Sequence, residues 1–468
     1  MNATFVVVGG GIAGVSCVEQ LSLLCPEESI ILVSATSVVK MVTNLCQMSQ
    51  LLSTFDVQET DKSALENQFK QLKVVQGAVL EVDAERHELL LGSGVKIGYQ
   101  FVILCHGARP KLCANDKFIL GIRDTESVAR FQDHLKGAKR IVIVGNGGIA
   151  TEMVHELKNV EVVWVIKDAS ISATFVDPGA GQFFIDQLFN RQVDEEKVTK
   201  RSKFTAQELL SGSSSNQVFG GALGPDWHSG MRVEGSLKAG KKVTVESETE
   251  VTDIKELDNE EFKVAVSLAN GKEIKCDFVV SATGVIPNGD SIRVEGLALD
   301  SHGAIVVNQQ MATNLNHVYA AGDVCSCAHW AHSKLWLQMR LWTQARQMGH
   351  FAGQCVHAAW LDDDGASKEL DFCFEMFTHA TRFFGFKVVL LGLFNAQNLQ
   401  DYEILLRVTK GQEYVKVVLK EGRMQGAILI GETDLEETFE NLILNQMDLS
   451  SYGADLLDPS IDIEDYFD

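Results

Sequence analysis

A strand, a glycine-rich turn and a helix follow one another twice in this chain, and this repeated unit constrains the fold more than any other feature. In the first copy the apolar residues 5–8 lead into glycines at G-x-G-x-x-G spacing, and a helix is predicted over residues 12–24. Such glycines allow a tight turn, close approach of the backbone to a phosphate, and close packing of the helix on the strand. The phosphates then meet free N–H groups at the start of the helix. The predicted pyrophosphate contacts are Gly9, Gly11, Ile12, Ala13 and Gly14.

The second copy begins at residue 140 and strengthens this interpretation, because one glycine-rich turn alone also joins strands to helices without any ligand. Residues 141–144 form the predicted strand, and the turn after them has G-x-G-x-x-A spacing. We therefore predict a second dinucleotide site in the same chain. Its predicted contacts are Gly145, Gly147, Ile149 and Ala150.

The end of the second strand in such a unit usually carries an acid that binds the ribose hydroxyls. In the first unit Ser34 occupies that position, and it can hydrogen-bond a hydroxyl without charge. Lys40 follows, and it either reaches a phosphate or is a solvated lysine. In the second unit Lys167 can pair with a 2′-phosphate, whereas Asp168 can hold an unmodified ribose. The choice between NADPH and NADH stays open on the sequence.

Composition and charge limit the classes of partner. A chain of 468 residues with 46% hydrophobic content can bury the cores of two or three domains. The net charge of −22 argues against direct binding to nucleic acids or anionic membranes, and no apolar run approaches the roughly 20 residues of a membrane span. The first strand starts too early for a signal or transit segment, and the ten cysteines contain no C-x-x-C pair. We expect mostly reduced thiols in a cytoplasmic or nuclear protein.

The segments around the two units predict further elements. Residues 45–69 are interpreted as a helix, residues 74–95 as a small antiparallel element, and residues 175–190 as another helix. A polar insertion at about 192–240 carries a basic cluster, for which a solvated helix face is favoured over a docking site for an acidic partner. The cluster comprises Lys197, Lys200, Arg201 and Lys203.

The end of the chain predicts a small α+β domain. Its strands are expected at 372–377, 387–391, 403–409, 414–419 and 424–430, with a helix at 435–445. Residues 455–468 are acidic with interleaved apolar side chains. They are interpreted as a frayed solvated tail or, alternatively, as a tail that docks on a partner.

Two further motifs complete a family resemblance. Residues 282–284 (ATG), with Pro287 and Asn288 after them, and residues 319–323 (YAAGD) follow the two glycine turns. In this order the motifs resemble the pyridine nucleotide-disulphide oxidoreductases over residues 3–444. The resemblance implies an α/β fold with two Rossmann-like domains, the NAD(P)H domain inserted in the FAD domain, and a small C-terminal α+β domain. The implied boundaries are 1–122 and 285–360 for FAD, 123–284 for NAD(P)H and 361–468 for the C-terminal domain.

The same resemblance implies roles for single residues. The first glycine turn and Gly107 would contact FAD, Asp323 would bind its ribityl chain, and Val324 would present backbone to the flavin. A carboxylate at a strand end accepts strong hydrogen bonds from hydroxyls. In the NAD(P)H domain, Glu152 would lie near the junction of flavin and nicotinamide, and Gly284 would line the crevice between the domains.

The departures from the family pattern concern the cysteines. Disulphide reductases of this family carry C-x-x-x-x-C or C-x-x-C pairs, and neither occurs here. Cys46 lies near the expected helix, but Met41 and Gln50 stand where its partners would be needed. Shuttling as a sulfenic acid stays open for it as a lone thiol. No metal site is predicted, although Cys325 and Cys327, with His329 and His332 nearby, leave a metal or redox role open. Likewise, Cys105 and His106 replace the alanine and threonine of the family's first ATG motif. Packing and strand capping are favoured for them over a place at the cofactor.

We therefore predict an FAD-dependent NAD(P)H oxidoreductase whose electrons leave without a cysteine relay, to oxygen, a quinone-like acceptor or a protein. The alternative is a binding protein, gated by the reduced FAD–NAD(P) state, with little turnover. Blocks at 121–127, 224–228, 340–349 and 431–447 resemble one family member in particular. That resemblance implies a role in protecting the tRNA ligase complex from oxidation.

Overall fold

The first unit is a parallel sheet with an antiparallel extension. The computed structural model describes residues 1–114, 117–123, 125–189, 199–205, 242–258, 261–328, 330, 334–361 and 368–459. The first elements are β1 (Asn2–Val8), α1 (Ile12–Leu24), β2 (Ile30–Ser34), β3 (Val38–Gln47), β4 (Ser53–Asp61), α2 (Lys62–Gln68), β5 (Leu72–Gln76), β6 (Val79–Asp83), β7 (Glu88–Leu91), β8 (Lys96–Leu104) and β9 (Ala108–Pro110). Strands β8, β1, β2 and β5 are parallel neighbours, and β7 and β6 extend the sheet beyond β8. Every residue of β2 is buried, as expected for a strand covered on both faces.

The second unit has its own parallel sheet, in the order β10-β18-β11-β12-β14. Its elements are β10 (Ile119–Gly121), α3 (Thr125–Leu135), β11 (Arg140–Val144), α4 (Gly148–Glu156), β12 (Glu161–Val165), α5 (Pro178–Leu188), β13 (Thr199–Thr205), β14 (Lys242–Glu246), β15 (Val251–Glu256), β16 (Val264–Leu268), β17 (Glu273–Cys276) and β18 (Phe278–Ser281). Strands β15–β17 form an antiparallel sheet that packs valines on the parallel one. Because β10 belongs to this sheet, the chain crosses into the second unit before residue 119, earlier than the predicted boundary at 122.

The chain then returns to the first sheet, so the second unit is inserted in the first. The returning elements are β19 (Val285–Pro287), β20 (Arg293–Val294), β21 (Ile305–Val306), β22 (Val318–Ala320), a 3-10 turn (Gly322–Val324), β23 (Cys325–Ser326) and α6 (Trp342–Leu361). Strand β22 pairs with β8, and β20 pairs with β6. The two crossing segments, β9 and β19, pair with each other as a two-stranded antiparallel hinge.

The C-terminal domain is an antiparallel sheet covered by one helix. After a 3-10 turn (Phe372–Phe374) come β24 (Thr378–Phe383), β25 (Phe386–Gly392), β26 (Glu403–Thr409), β27 (Glu413–Lys420), β28 (Arg423–Ile430), α7 (Glu436–Asn445) and a 3-10 helix (Gly453–Leu457). Buried Phe439 and Ile443 on α7 pack against the sheet, which accounts for the amphipathic pattern of this segment. The predicted strand at 372–377 is wrong, since residues 372–374 form a 3-10 turn, Met376 makes only an isolated bridge with Leu335, and the first strand begins at Thr378.

Strand β13 corrects the interpretation of the basic cluster. Residues 199–205 pair antiparallel with β26, with Arg201 opposite Arg407, and form the edge of the C-terminal sheet. Lys200, Arg201 and Lys203 therefore lie on a strand and not on a solvated helix. The prediction failed because a sequence-distant partner strand, and not local propensity, decides the pairing. Lys197 and the rest of the predicted insertion lie outside the described residues.

A buried polar joint connects the second unit to the C-terminal domain. The Asp177 carboxylate, just before α5, accepts hydrogen bonds from the Tyr414 hydroxyl (2.8 Å) and the Gly179 N–H (2.8 Å). The buried ammonium of Lys416 lies 2.7 Å from the same carboxylate. Burial alone would raise the pKa of Asp177, but the Lys416 charge and the hydrogen bonds hold it below its ordinary value. Truncating either charge would leave the other buried and unpaired.

Helix α6 lies directly against α1. A Cβ on Gly349 would stand 2.1 Å from the Ala13 carbonyl oxygen, and one on Gly353 would stand 3.1 Å from that of Cys17. These two glycines, four residues apart on α6, thus allow the backbones of α6 and α1 to come into contact. In the described part of the chain, no helix combines the length and apolar composition that a membrane crossing needs.

The predicted helix at 45–69 is mostly wrong, because β3 and β4 form a long hairpin there and only α2 is helical. The hairpin tip is held by a residue far away in sequence. The buried Glu440 carboxylate on α7 accepts hydrogen bonds from the Ser49 hydroxyl (2.5 Å) and the N–H groups of Leu51 (2.9 Å) and Leu52 (3.2 Å). The first unit is thereby fixed to the C-terminal domain.

Replacing this carboxylate should loosen the hairpin tip. We expect Glu440→Gln to lower the free energy of unfolding by roughly 1–3 kcal/mol, because an amide N–H would then face the Leu52 N–H and the Ser49 hydroxyl. Amide hydrogen exchange should accelerate at Leu51 and Leu52. The exposed Glu437, replaced by Gln on the same helix, is the matched control. Unchanged exchange at the tip in Glu440→Gln would show that the carboxylate does not hold it.

Candidate functional site

The first glycine turn has close contacts at its two outer glycines and open space at the middle one. Gly9 has φ +121°, and a Cβ there would lie 2.3 Å from the Cys105 carbonyl oxygen. A Cβ on Gly14 would lie 1.9 Å from the Gly9 carbonyl oxygen. A Cβ on Gly11, by contrast, would meet no atom of the described residues within 4 Å. Packing thus explains the outer glycines, and close approach of a ligand explains the middle one, which fits a dinucleotide pyrophosphate. Ile12 and Ala13 begin α1 at this turn.

Ser34 and Lys40 both lie beside this turn. The Ser34 side chain is buried at the end of β2, and its hydroxyl would be 2.5 Å from a Cβ on Gly10. The Lys40 N–H donates to the Gly10 carbonyl (2.9 Å), and its ammonium stands 3.7 Å from the Glu59 carboxylate across the hairpin. The structure therefore places both predicted residues at the turn, with the charge of Lys40 balanced by Glu59.

Asp323 is buried at the carboxyl end of β22, in the 3-10 turn that also contains buried Val324. Arg123 donates to its carboxylate through Nη2 (3.1 Å), and Arg340 donates to its backbone carbonyl (3.1 Å). Burial raises the pKa of Asp323, against the opposing charge of Arg123. Sequence reasoning missed Arg123, although it lies in the block 121–127 that contributed to the resemblance.

Gly107, with φ +66°, begins the crossing into the hinge, and His106 precedes it. His106 Nε2 lies 3.0 Å from the Asn288 carbonyl oxygen, and the Asn288 amide donates to the His106 carbonyl (3.0 Å). Arg109 adds a bidentate pair with Asp290 (2.8 and 3.1 Å). These bonds hold the two crossing strands together.

The second glycine turn opens into a cavity of about 320 Å³. A Cβ on Gly145, at φ +126°, would lie 2.1 Å from the Ala282 carbonyl oxygen, whereas one on Gly147 would come no closer than 4.0 Å to any described atom. The pattern of the first turn is therefore repeated. The predicted residues that line the cavity are Gly145, Gly147, Ile149, Lys167, Asp168 and Gly284. Ala150 is buried in α4, and Glu152 is half-buried on the same helix.

Asn146 connects Asp168, Ser170 and Ser172 at the β12 side of this cavity, and sequence reasoning missed it. Its amide donates to the Asp168 carboxylate (2.8 Å) and to the Ser170 carbonyl (2.8 Å), and its carbonyl accepts from the Ser172 N–H (2.6 Å). The bond from Asn146 fixes the position of the Asp168 side chain just after β12, whereas the Lys167 side chain is exposed. A separate open groove of about 450 Å³ between β12, β14 and β17 contains none of the fingerprint residues.

All ten cysteines are free thiols. Cys46 is exposed on β3 and faces Thr54 in register, with no cysteine beside it on the hairpin. Cys325 and Cys327 are buried neighbours. Burial first, and then the hydrogen bond with Cys325, raise the pKa of the Cys327 thiol, so it stays protonated at neutral pH. His329 and His332 lie outside the described residues.

The sequence and fold match known proteins over nearly the whole chain. A model described as pyridine nucleotide-disulphide oxidoreductase matches residues 3–216 and 227–349, and one described as the rubredoxin NAD+ reductase C-terminal domain matches residues 381–447. The chain belongs to the pyridine nucleotide-disulphide oxidoreductase family. Two relatives are named pyridine nucleotide-disulfide oxidoreductase domain-containing protein 1. The one from Danio rerio is 50% identical over 482 residues, which cover 99% of this chain and 97% of that protein. The one from Homo sapiens is 48% identical over 493 residues, which cover 99% and 98%.

Solved structures share the fold at low sequence identity. Putidaredoxin reductase, in its covalent complex with putidaredoxin, superposes with a TM-score of 0.67 at 16% identity and covers 95% of this chain and 94% of that one. The predicted fold class, with two Rossmann-like units and a C-terminal domain, is confirmed. FAD and NAD(P)H, the cofactors of the family, are confirmed as the predicted cofactors. The chain is an FAD-dependent pyridine nucleotide oxidoreductase by family and fold.

The middle glycines offer a sharp test of the two sites. Gly11 (φ −79°, ψ −178°) and Gly147 (φ −91°, ψ −175°) have extended backbones that valine adopts readily. We expect Gly11→Val to lower the FAD content of the purified protein by about tenfold or more, since the side chain would fill the phosphate approach. Gly147→Val should keep FAD and lose affinity for NADH. The measurements are flavin absorbance per chain and nucleotide titration. Full FAD content in Gly11→Val would place the cofactor elsewhere.

Proposed function

We propose that the first glycine turn holds FAD and the second holds NAD(P)H, and that the protein transfers electrons from the nucleotide without a cysteine relay. When bound, FAD accepts a hydride from the nicotinamide and supplies the redox chemistry. The observation that supports this most directly is the match between the two turns. In each, packing requires the outer glycine, and the middle glycine has open space before it.

The residue roles follow from the placement of each group. At FAD, the backbone of the first turn meets the pyrophosphate, Ser34 and Lys40 lie on the adenosine side, and Gly107, Asp323 and Val324 lie on the flavin side. At NAD(P)H, Asp168 holds the ribose, and its pinning by Asn146 favours NADH over NADPH, because a 2′-phosphate would meet the carboxylate. Gly145, Gly147, Ile149 and Ala150 meet the pyrophosphate, with Lys167 at the rim and Glu152 and Gly284 towards the crevice.

The route by which electrons leave the flavin is inferred from the positions and pKa shifts of the cysteine thiols. A hairpin stands where the redox-cysteine helix was expected, Cys46 is single there, and the thiols of Cys105 and Cys327 have pKa values raised by burial. Protonated buried thiols are poor nucleophiles. Electrons then pass from the flavin directly to oxygen, to a quinone-like acceptor or to a redox protein. Similarity to a reductase solved with putidaredoxin supports the last of these.

Anaerobic titration with NADH and NADPH tests the proposal. We expect NADH to bleach the flavin absorbance of the purified protein, with NADPH effective only at higher concentration. Gly147→Val should retain the flavin spectrum and resist bleaching. Admission of air then measures reoxidation. Bleaching of the variant at the concentrations that bleach the wild type would exclude the second glycine turn as the nucleotide site.

A second candidate function is docking on a partner, gated by the nucleotide-bound reduced state. The buried Arg407 side chain donates to the Leu457 carbonyl (3.3 Å) and pairs with Glu413 (3.1 Å). The chain is therefore anchored immediately before the acidic residues at its end. By resemblance, the partner is the tRNA ligase complex, which the protein would protect from oxidation in the cytoplasm and nucleus. Residues 460–468 lie outside the described residues.

Deleting residues 460–468 separates the two functions while leaving the Arg407–Leu457 contact in place. We expect the truncated protein to oxidise NADH at the wild-type rate and to lose binding to the purified tRNA ligase complex in a pull-down with NADH present. Wild-type binding by the truncated protein would eliminate the tail as the docking element.

A further inference from the structure

Two buried hydrogen-bonding atoms near Gly107 have no partner among the described residues. They are Nδ1 of His106 and Nη1 of Arg123. Folded proteins satisfy nearly all such atoms, because each buried group without a partner costs about 1–3 kcal/mol. A molecule that binds at this place would satisfy them.

Both atoms lie close to the first glycine turn. The His106 Cα would be 3.1 Å from a Cβ on Gly9, so the two residues touch through their backbones. A Cβ on Gly107 would be 3.4 Å from Arg123 Nη2, the atom that donates to Asp323. His106 and Arg123 therefore stand between the glycine turn and Asp323, the two places assigned to FAD.

The bond on the other side of the His106 ring fixes its protonation. Nε2 lies 3.0 Å from the Asn288 carbonyl oxygen, which can only accept, so Nε2 carries the hydrogen. Burial lowers the pKa of His106 to about 4, against the opposing effect of the Asn288 bond, so the ring is neutral at pH 7. Nδ1 is therefore a bare acceptor, and the group that meets it must be a donor. The phosphates of FAD offer no donor, whereas its sugar hydroxyls do.

We propose that His106 is an FAD-binding residue whose Nδ1 accepts a hydrogen bond from a sugar hydroxyl of FAD, while its Nε2–H bonds to Asn288 in the hinge. This assignment rests on the proposed placement of FAD at the first glycine turn. The sequence favoured strand capping for His106 over a place at the cofactor, and this assignment gives the residue both roles. The His106 ring then connects FAD to Asn288, which follows β19, the strand that returns from the second unit.

Two amide variants separate the two bonds of this ring. The side-chain nitrogen of glutamine reaches about as far as Nε2, and the side-chain oxygen of asparagine reaches about as far as Nδ1. His106→Gln keeps a donor for the Asn288 carbonyl and removes the acceptor at the Nδ1 position. His106→Asn keeps an acceptor near the Nδ1 position and removes the hinge bond.

The measurement is the rate at which FAD leaves the purified holoprotein after dilution, followed by the recovery of flavin fluorescence. We expect His106→Gln to release FAD about tenfold faster, the effect of losing one hydrogen bond, and to lower the midpoint of urea unfolding only as far as the weaker FAD binding requires. His106→Asn should release FAD within about threefold of the wild-type rate and unfold at lower urea. This reversal between the two readouts is not expected of a residue that only supports the fold.

Each outcome decides the assignment. Wild-type release from His106→Gln would overturn it and leave an ordered water as the partner of Nδ1. Fast release from His106→Asn with slow release from His106→Gln would show that retention follows the hinge bond, which also overturns it. Gly11→Val, measured in parallel, tests the site itself. If Gly11→Val keeps FAD, the proposed FAD site fails; if only His106→Gln keeps it, the inference alone fails.

Discussion

The close contact of Ala13 with two glycines joins the beginning and the end of the first unit. Ala13 begins the helix after the first glycine turn, and the chain meets it again only after it has returned from the second unit. A Cβ on Gly322 would lie 2.7 Å from the Ala13 Cβ, and one on Gly349 would lie 2.1 Å from its carbonyl oxygen. Because neither glycine has a side chain, the turn that contains Asp323 can lie close to the first glycine turn. Asp323 and the first glycine turn therefore lie close together, although distant parts of the sequence supply them.

Paired strands, hydrogen bonds and ion pairs connect the units. The hinge strands β9 and β19 are bound to each other and locked by His106–Asn288 and Arg109–Asp290. The β3–β4 hairpin, anchored by Glu440, occupies most of residues 45–69, where a helix was predicted. The C-terminal domain is joined to the second unit through Asp177 and Lys416. In the described part of the chain no thiols form a disulphide, and the exposed Cys46 has no second cysteine beside it on the hairpin.

Local patterns predicted the parts of the fold that local chemistry determines. Both glycine turns, α1 and the strands after them were predictable, because their spacing and apolar runs have one physical explanation each. The segment at 45–69 was not, since its hairpin depends on Glu440, which is remote in sequence. The prediction for residues 199–205 failed for the same reason, because β13 forms only by pairing with the sequence-distant β26. Arg123 and Asn146 were missed in the site because their importance lies in bonds to Asp323 and Asp168 that only the folded chain forms.

The central claim is that electrons from the nucleotide reach the flavin and no disulphide. An anaerobic dithionite titration of the FAD-loaded protein tests it most directly, when cysteines are counted by alkylation under denaturing conditions before and after reduction. The account predicts uptake of about two electrons per flavin, as for a single two-electron centre, and an unchanged number of alkylated cysteines. Uptake of about four electrons with a gain of two alkylated cysteines would contradict it and reveal a redox-active disulphide.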